Sequence, residues 1–229
     1  MKVHAFAVAL ALAPLALNGS LILDQDAVER VGFSAHGLKI CHQNEWRNLS
    51  IDLSYLAEAG SPAANTDLVC ARVRTFLEEY SSPNDFWEIM NTNLIRSLLK
   101  DFPGLTAIES TLSLAPDRTL HFPRQSIVRF EKDKSPCLKE SFNFTKLNYL
   151  ICQESFRELN LHIAWDLKEN PGHFDYPDYL WVDAAMEEYF ASHPVSFTKW
   201  VQLKPALEDF LLERFPTLAS IRVDIIVIS

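Results

Sequence analysis

The stretch FWEIMNTNLIRSLLKDFPGL, residues 86 to 105, returns near the end of the chain as KWVQLKPALEDFLLERFPTL, residues 199 to 218. Trp87 matches Trp200, Leu94 matches Leu207, Leu98-Leu99 match Leu211-Leu212, Phe102-Pro103 match Phe215-Pro216, and Leu105 matches Leu218. All share one offset of 113 (200 minus 87), without a gap. A chain that writes one amphipathic helix twice is built from two copies of a unit, which sharply narrows the folds open to it.

The repeat extends upstream. NEWRNLSIDLSYL, residues 44 to 56, resembles ESFRELNLHIAWDL, residues 154 to 167, at an offset of 110, and both alternate apolar and polar residues as half-buried strands do. Trp46 matches Phe156, Arg47 matches Arg157 and Tyr55 matches Trp165. Earlier strands are expected over residues 33–41 and 142–152. A first helix capped by Asn65, Thr66 or Asp67 is expected to run to about Tyr80. Its counterpart has Pro177 in the first turn and carries Leu180, Trp181, Tyr189 and Phe190. Breaks at 81–84 and 193–196 precede the repeated helix, which starts at Asp85 or Phe197 and is stopped by Pro103 or Pro216. Strands follow at 105–114 and 218–228, and the first half adds one at 126–131.

The expected fold is therefore α+β: tandem ββααβ(β) units, an antiparallel sheet with both helix pairs on one face. The units span residues 33–131 and 142–229, the second lacking a last strand, with 132–141 as a linker. Residues 1–20 resemble a signal peptide, with Lys2 before an apolar run from Val3 to Leu17, but the cleavage site is weak. A secreted or periplasmic location is expected, with a cytoplasmic one as the alternative. No other segment is long and apolar enough to span a bilayer.

A net charge of −9 spread along the chain disfavours nucleic acid and anionic membranes as partners, since both need clustered cations. Cys41, Cys70, Cys137 and Cys152 lack CxxC spacing, so a zinc ribbon is not indicated, and two disulfides are permitted. Asn48 and Asn143 head glycosylation sequons, which matter if the chain is secreted. His36 and His42, six apart on one strand, could share a face. With no third ligand besides the distant His121, no metal site is indicated. No Gly-rich phosphate loop or nucleophile elbow occurs.

The tandem units, the helices on one face and the LL-x-x-FP ending resemble the tunnelling-fold (T-fold) superfamily, which includes dihydroneopterin aldolase and urate oxidase. The resemblance covers residues 33 to 228 and implies multimeric rings whose sheets close into a barrel, with pockets between subunits. In the aldolase branch, a Glu at the start of the second helix anchors a pterin ring. It lies fourteen residues before the terminal Phe, as Glu88 does before Phe102 here (102 minus 88). An ionised carboxylate there would accept two parallel N–H bonds in the field of a helix N-terminus, although acidic residues are favoured there without any ligand as well. The matching residue in the second half is Val201. Arg124, in a loop-forming stretch, could meet an anionic ligand or stay an exposed loop residue.

Elsewhere the pattern departs. Ala115 stands before Pro116 where the aldolases have a catalytic Lys, so that route has no base. The Lys–Thr pair of urate oxidase is not evident, with Lys39 a bare candidate. Two functions stay open. One is a binder or cofactor-free enzyme for a pterin- or purine-like heterocycle, anchored by Glu88. The other is a non-catalytic structural or interaction protein that keeps the fold without the site.

Overall fold

The computed structural model describes residues 30–42, 45–80, 87–153, 155–169, 171–172, 175–192 and 200–228. The signal-peptide-like segment and the two breaks before the repeated helices fall outside them. Seven strands form one antiparallel sheet in chain order: β1 (Val31–His42), β2 (Glu45–Ala57), β3 (Leu105–Leu114), β4 (Arg124–Glu131), β5 (Ser135–Gln153), β6 (Ser155–Leu167) and β7 (Leu218–Val227). Helices α1 (Thr66–Glu79) and α2 (Trp87–Asp101) connect β2 to β3. Helices α3 (Tyr179–Ser192) and α4 (Trp200–Arg214) connect β6 to β7. A single 3-10 turn, Pro62–Ala64, precedes α1.

Period-two alternation assigns the faces of this sheet. Leu49, Ile51, Leu53 and Tyr55 of β2 are buried, and so are Leu159, Leu161, Ile163 and Trp165 of β6. Apart from Ala164, the residues between them are polar, and polar side chains pair across strands on the other face. Ser34 donates to Asp52, the hydroxyls of Ser141 and Ser220 reach Asp166 at 2.5 and 2.6 Å, and Asn143 Nδ2 donates to Gln125 Oε1 at 3.1 Å. Two apolar cores result. One packs α1 and α2 on β1–β4, the other packs α3 and α4 on β5–β7, and Trp87 touches both.

The repeated helices do the same work in each half. Leu94, Leu98, Leu207 and Leu211 are fully buried. Both helices also end alike. Phe102 N donates to Leu98 O at 2.8 Å and Leu105 N to Phe102 O at 3.0 Å, while Phe215 N donates to Leu211 O at 2.9 Å and Leu218 N to Phe215 O at 3.1 Å. Pro103 and Pro216, which lack an N–H and cannot continue the helix, turn the chain into the next strand.

Several expectations are corrected. Residues 132–141 are not a linker: a turn over 132–134 leads into β5, which starts at Ser135 rather than 142 and pairs with β4 through Arg129↔Lys139 and Val128↔Glu140. Pro177 lies before α3, not in its first turn, because Asp178 caps the helix by accepting from Leu180 N at 2.9 Å. Helix α1 is capped by Asn65, which accepts from Asp67 N at 3.0 Å. A bulge between Ala35 and Leu38, with Gly37 at φ 67°, inverts the alternation of β1. The period-two argument placing His36 and His42 on one face therefore does not carry across it. Cys41, Cys70 and Cys137 are free, so the two-disulfide arrangement is absent; the Cys152 side chain lies outside the described residues.

If the two halves are equivalent supports of one sheet, Leu94→Ala and Leu207→Ala should each destabilise the protein by about 2–5 kcal/mol in urea unfolding. A loss under about 1 kcal/mol for one of them would show that its half collapses around the cavity and that the helices are not equivalent.

Candidate functional site

Glu88 falls in the first turn of α2, where the repeat pattern placed it, but its surroundings differ from those expected. It is 4% exposed, at the junction of the two helix pairs. Arg124 is equally buried and opens β4, where β3 and β5 flank it through Leu114 and Phe144. It is not an exposed loop residue. The two lie close enough for the guanidinium to act electrostatically on the Glu88 carboxyl. The structure thus brings both sequence-predicted residues into one buried seam.

Three side chains that sequence reasoning missed complete the seam. Asn91, one turn after Glu88, donates Nδ2 to the carbonyls of Ser110 at 3.1 Å and Ser126 at 2.9 Å, tying α2 to β3 and β4. Tyr179, at the start of α3, donates its hydroxyl to Gln125 O at 2.5 Å and stacks on Trp87 with centroids 5.5 Å apart. Asp117, in the loop after β3, holds Arg124 Nη2 at 2.6 Å and also pairs with Arg47. The Asp117 carboxyl folds its own loop by accepting from Thr119 N at 2.8 Å and Leu120 N at 2.9 Å. Burial opposes its ionisation, but these amides and Arg124 outweigh burial and hold its pKa down to about 2. A signal for Asn91 was present in the sequence: it is a polar residue on the buried stripe of an amphipathic helix. Tyr179 carried no such signal.

The balance of hydrogen bonds singles the seam out. Among the described residues, seven buried side-chain polar atoms have no partner, and five belong to Glu88, Asn91, Ser110 and Arg124. They are Glu88 Oε2, Asn91 Oδ1, Ser110 Oγ, and Nε and Nη1 of Arg124. Each such group costs about 1–3 kcal/mol. The seam therefore presents acceptors from α2 and donors from β4 that the fold itself leaves unused.

At Glu88 burial works against the field of the helix N-terminus. Burial is the largest influence and pushes its pKa from 4.5 up to about 8, aided by Asp178 and opposed by the Glu88 backbone amide, Arg124 and Trp87. At neutral pH the neutral acid, which donates as well as accepts, predominates.

The remaining candidates stand apart. Ala115, His36, His121 and Lys39 are exposed, and the Val201 side chain lies outside the described residues. Among the described residues no three His, Cys, Asp or Glu side chains gather at metal-ligating distance. No helix there is long and apolar enough to cross a membrane.

No protein-family model and no curated protein matches the chain. Solved structures do. The uricase from Arthrobacter globiformis superposes with a TM-score of 0.65 at 12% identity, covering 90% of this chain and 83% of its own. A hyperthermostable mutant of the Bacillus sp. TB-90 urate oxidase gives 0.63 at 14% identity, covering 87% and 89%. The uricase from Bacillus fastidious gives 0.55 at 13%, covering 80% and 72%. The chain has the tunnelling fold, which it shares with these urate oxidases.

The displaced pKa of Glu88 has a measurable consequence. Its folded-state value lies above that of the free group, so the stability tied to neutral Glu88 is whole below pH 4.5 and is lost as pH rises through 8. Glu88→Gln, neutral throughout, should match wild type near pH 4.5 and exceed it by on the order of 3–5 kcal/mol at about pH 8.5. A difference in urea-unfolding free energy that stays flat over this range would mean that Glu88 is not held neutral.

Proposed function

We propose that this protein binds a purine- or pterin-like heterocycle between Glu88 and Arg124. The observation that carries the reading is the cluster of unpartnered buried groups: Glu88 Oε2 and Asn91 Oδ1 as acceptors, Nε and Nη1 of Arg124 as donors. A fused heterocycle with alternating N–H and C=O groups pairs with both sets, and one lacking either set leaves a buried charge or dipole unpaired. Trp87 stacked on Tyr179 supplies an aromatic wall beside them. That the structural neighbours are urate oxidases supports a purine as the class of ligand. Binding of two adjacent N–H donors favours the carboxylate form of Glu88, so association should release a proton near neutral pH.

The reading is one of binding. Ala115 offers no amine for proton abstraction by the aldolase route, and turnover would need a base from elsewhere. Strands β1 and β7 each have a free edge within the sheet, which supports closure with further copies into a ring. The state of Cys41, Cys70 and Cys137, free thiols in this structure, bears on the choice between a secretory route and the cytoplasmic alternative. Thiol titration of the native protein should therefore find reactive cysteines, and their complete absence would return the chain to an oxidising compartment.

Thermal unfolding with urate, xanthine, guanine and neopterin tests the site. A ligand at about a hundred times its Kd adds about 2.7 kcal/mol, which for a chain of this size raises the Tm by about 5–10 °C. The rise should vanish in Arg124→Ala and Glu88→Ala, each compared with its own unliganded Tm. A rise that survives in both variants, or none with any of these compounds, would leave the fold as scaffold for a partner protein.

A further inference from the structure

Helix α2 carries a second group of polar residues below Glu88. Thr92 lies one turn on, and its hydroxyl donates to Glu140 Oε2 at 2.8 Å. The Tyr176 hydroxyl donates to the same oxygen at 2.7 Å. Glu140 comes from the start of β5 and is 4% exposed. It borders a cavity of about 280 Å³ between α2 and the β4–β5 hairpin. Leu99, Phe130, Leu138 and Pro171 form apolar walls, and the exposed Arg96 stands at the rim. Arg96 makes no hydrogen bond or ion pair among the described residues, yet it lies close enough to act electrostatically on both Glu140 and Tyr176.

This is a different place from the Glu88 seam. Arg96 is eight residues beyond Glu88 along α2, roughly 12 Å of helix rise. None of the groups that line the cavity belongs to the unpartnered cluster described above.

The lining dictates the chemistry of an occupant. A purely anionic molecule would meet the Glu140 carboxyl on the floor, and a purely cationic one would meet Arg96 at the mouth. A purely apolar molecule would cover both groups and pair neither. An ammonium or similar N–H donor on Glu140, a carboxylate on Arg96 and an apolar body between them satisfy all three. The size agrees, since a cavity of about 150 Å³ already holds a benzene ring. We propose that the cavity is a small-molecule site for an amphoteric ligand of the size and chemistry of an apolar α-amino acid. Its ammonium group lies on Glu140, its carboxylate on Arg96 and its side chain against Leu99, Phe130 and Leu138. Glu140 is held in place by Thr92 and Tyr176, which act as positioning residues.

Calorimetric titration of the full chain with L-phenylalanine and L-leucine tests this. Saturable binding is expected, weakened at least about tenfold in Arg96→Ala and in Glu140→Gln. Arg96 is exposed, so its variant should keep the wild-type Tm, and loss of binding there cannot be put down to unfolding. 3-Phenylpropionate lacks the ammonium group and phenethylamine the carboxylate, so each should bind at least about tenfold more weakly than L-phenylalanine. Absence of saturable heat up to about 20 mM, or an affinity unchanged in Arg96→Ala, would overturn the proposal. Neither result bears on urate or neopterin binding at Glu88, whose failure would in turn leave this site untouched.

Discussion

One constraint governs this structure: an antiparallel sheet of alternating residues has an apolar face that must be taken out of water. No single helix covers seven strands, so the chain covers them twice with the same device. Leu94 and Leu98 seat α2 on β3 and β4, and Leu207 and Leu211 do the same for α4. Burying such a side chain contributes about 1.5–3 kcal/mol, and together they offset the entropy of ordering the long connections between β2 and β3 and between β6 and β7. The opposite face keeps its serines, asparagines and aspartates paired across strands.

The polar seam exists because the two covers do not merge. Where α2 meets the chain entering α3, the sheet beneath carries Arg124 and Ser126 on β4 in place of aliphatic residues, and Glu140 on β5 does so further along the helix. Asn91 and Thr92 answer them from the helix. Packing alone would favour an apolar joint, since unpartnered polar groups lower stability. Of the seven such atoms among the described residues, five belong to Glu88, Asn91, Ser110 and Arg124, and the proposed ligand site rests on that concentration. Asp117 fits the same view: it spends its carboxylate on fixing a loop and on aiming Arg124.

Much of the architecture was legible in the chain because local pattern and tertiary burial agree. Period-two alternation in β2 and β6, Asn65 at the start of α1 and the Phe-Pro endings of α2 and α4 each reflect forces acting within a few residues. The misreadings came where a longer-range contact decided. Residues 135–141 look like a charged linker, yet they pair with β4, and Glu140 is polar because hydroxyls of Thr92 and Tyr176 meet it. The bulge in β1 depends on Gly37, whose positive φ the alternation of its neighbours does not announce. Arg124 reads as a loop residue because Pro123 precedes it, whereas pairing with β3 and β5 makes it the first residue of a strand.

The sequence by itself determined the duplication, the α+β class, the one-faced covering of the sheet and the place of Glu88 in the first turn of α2. These follow from spacing, and spacing survives in a string of letters. Only the tertiary structure decided that Glu88 is buried rather than exposed, with its pKa pushed up by that burial. It also decided that Arg124 is buried within electrostatic reach of Glu88, and that Asn91, Tyr179 and Asp117 tie the neighbouring elements together. The physical reason is that solvation and electrostatic environment belong to the space around a residue. That space is filled here by segments up to about 90 residues away in the chain, as Tyr179 is from Glu88 (179 minus 88).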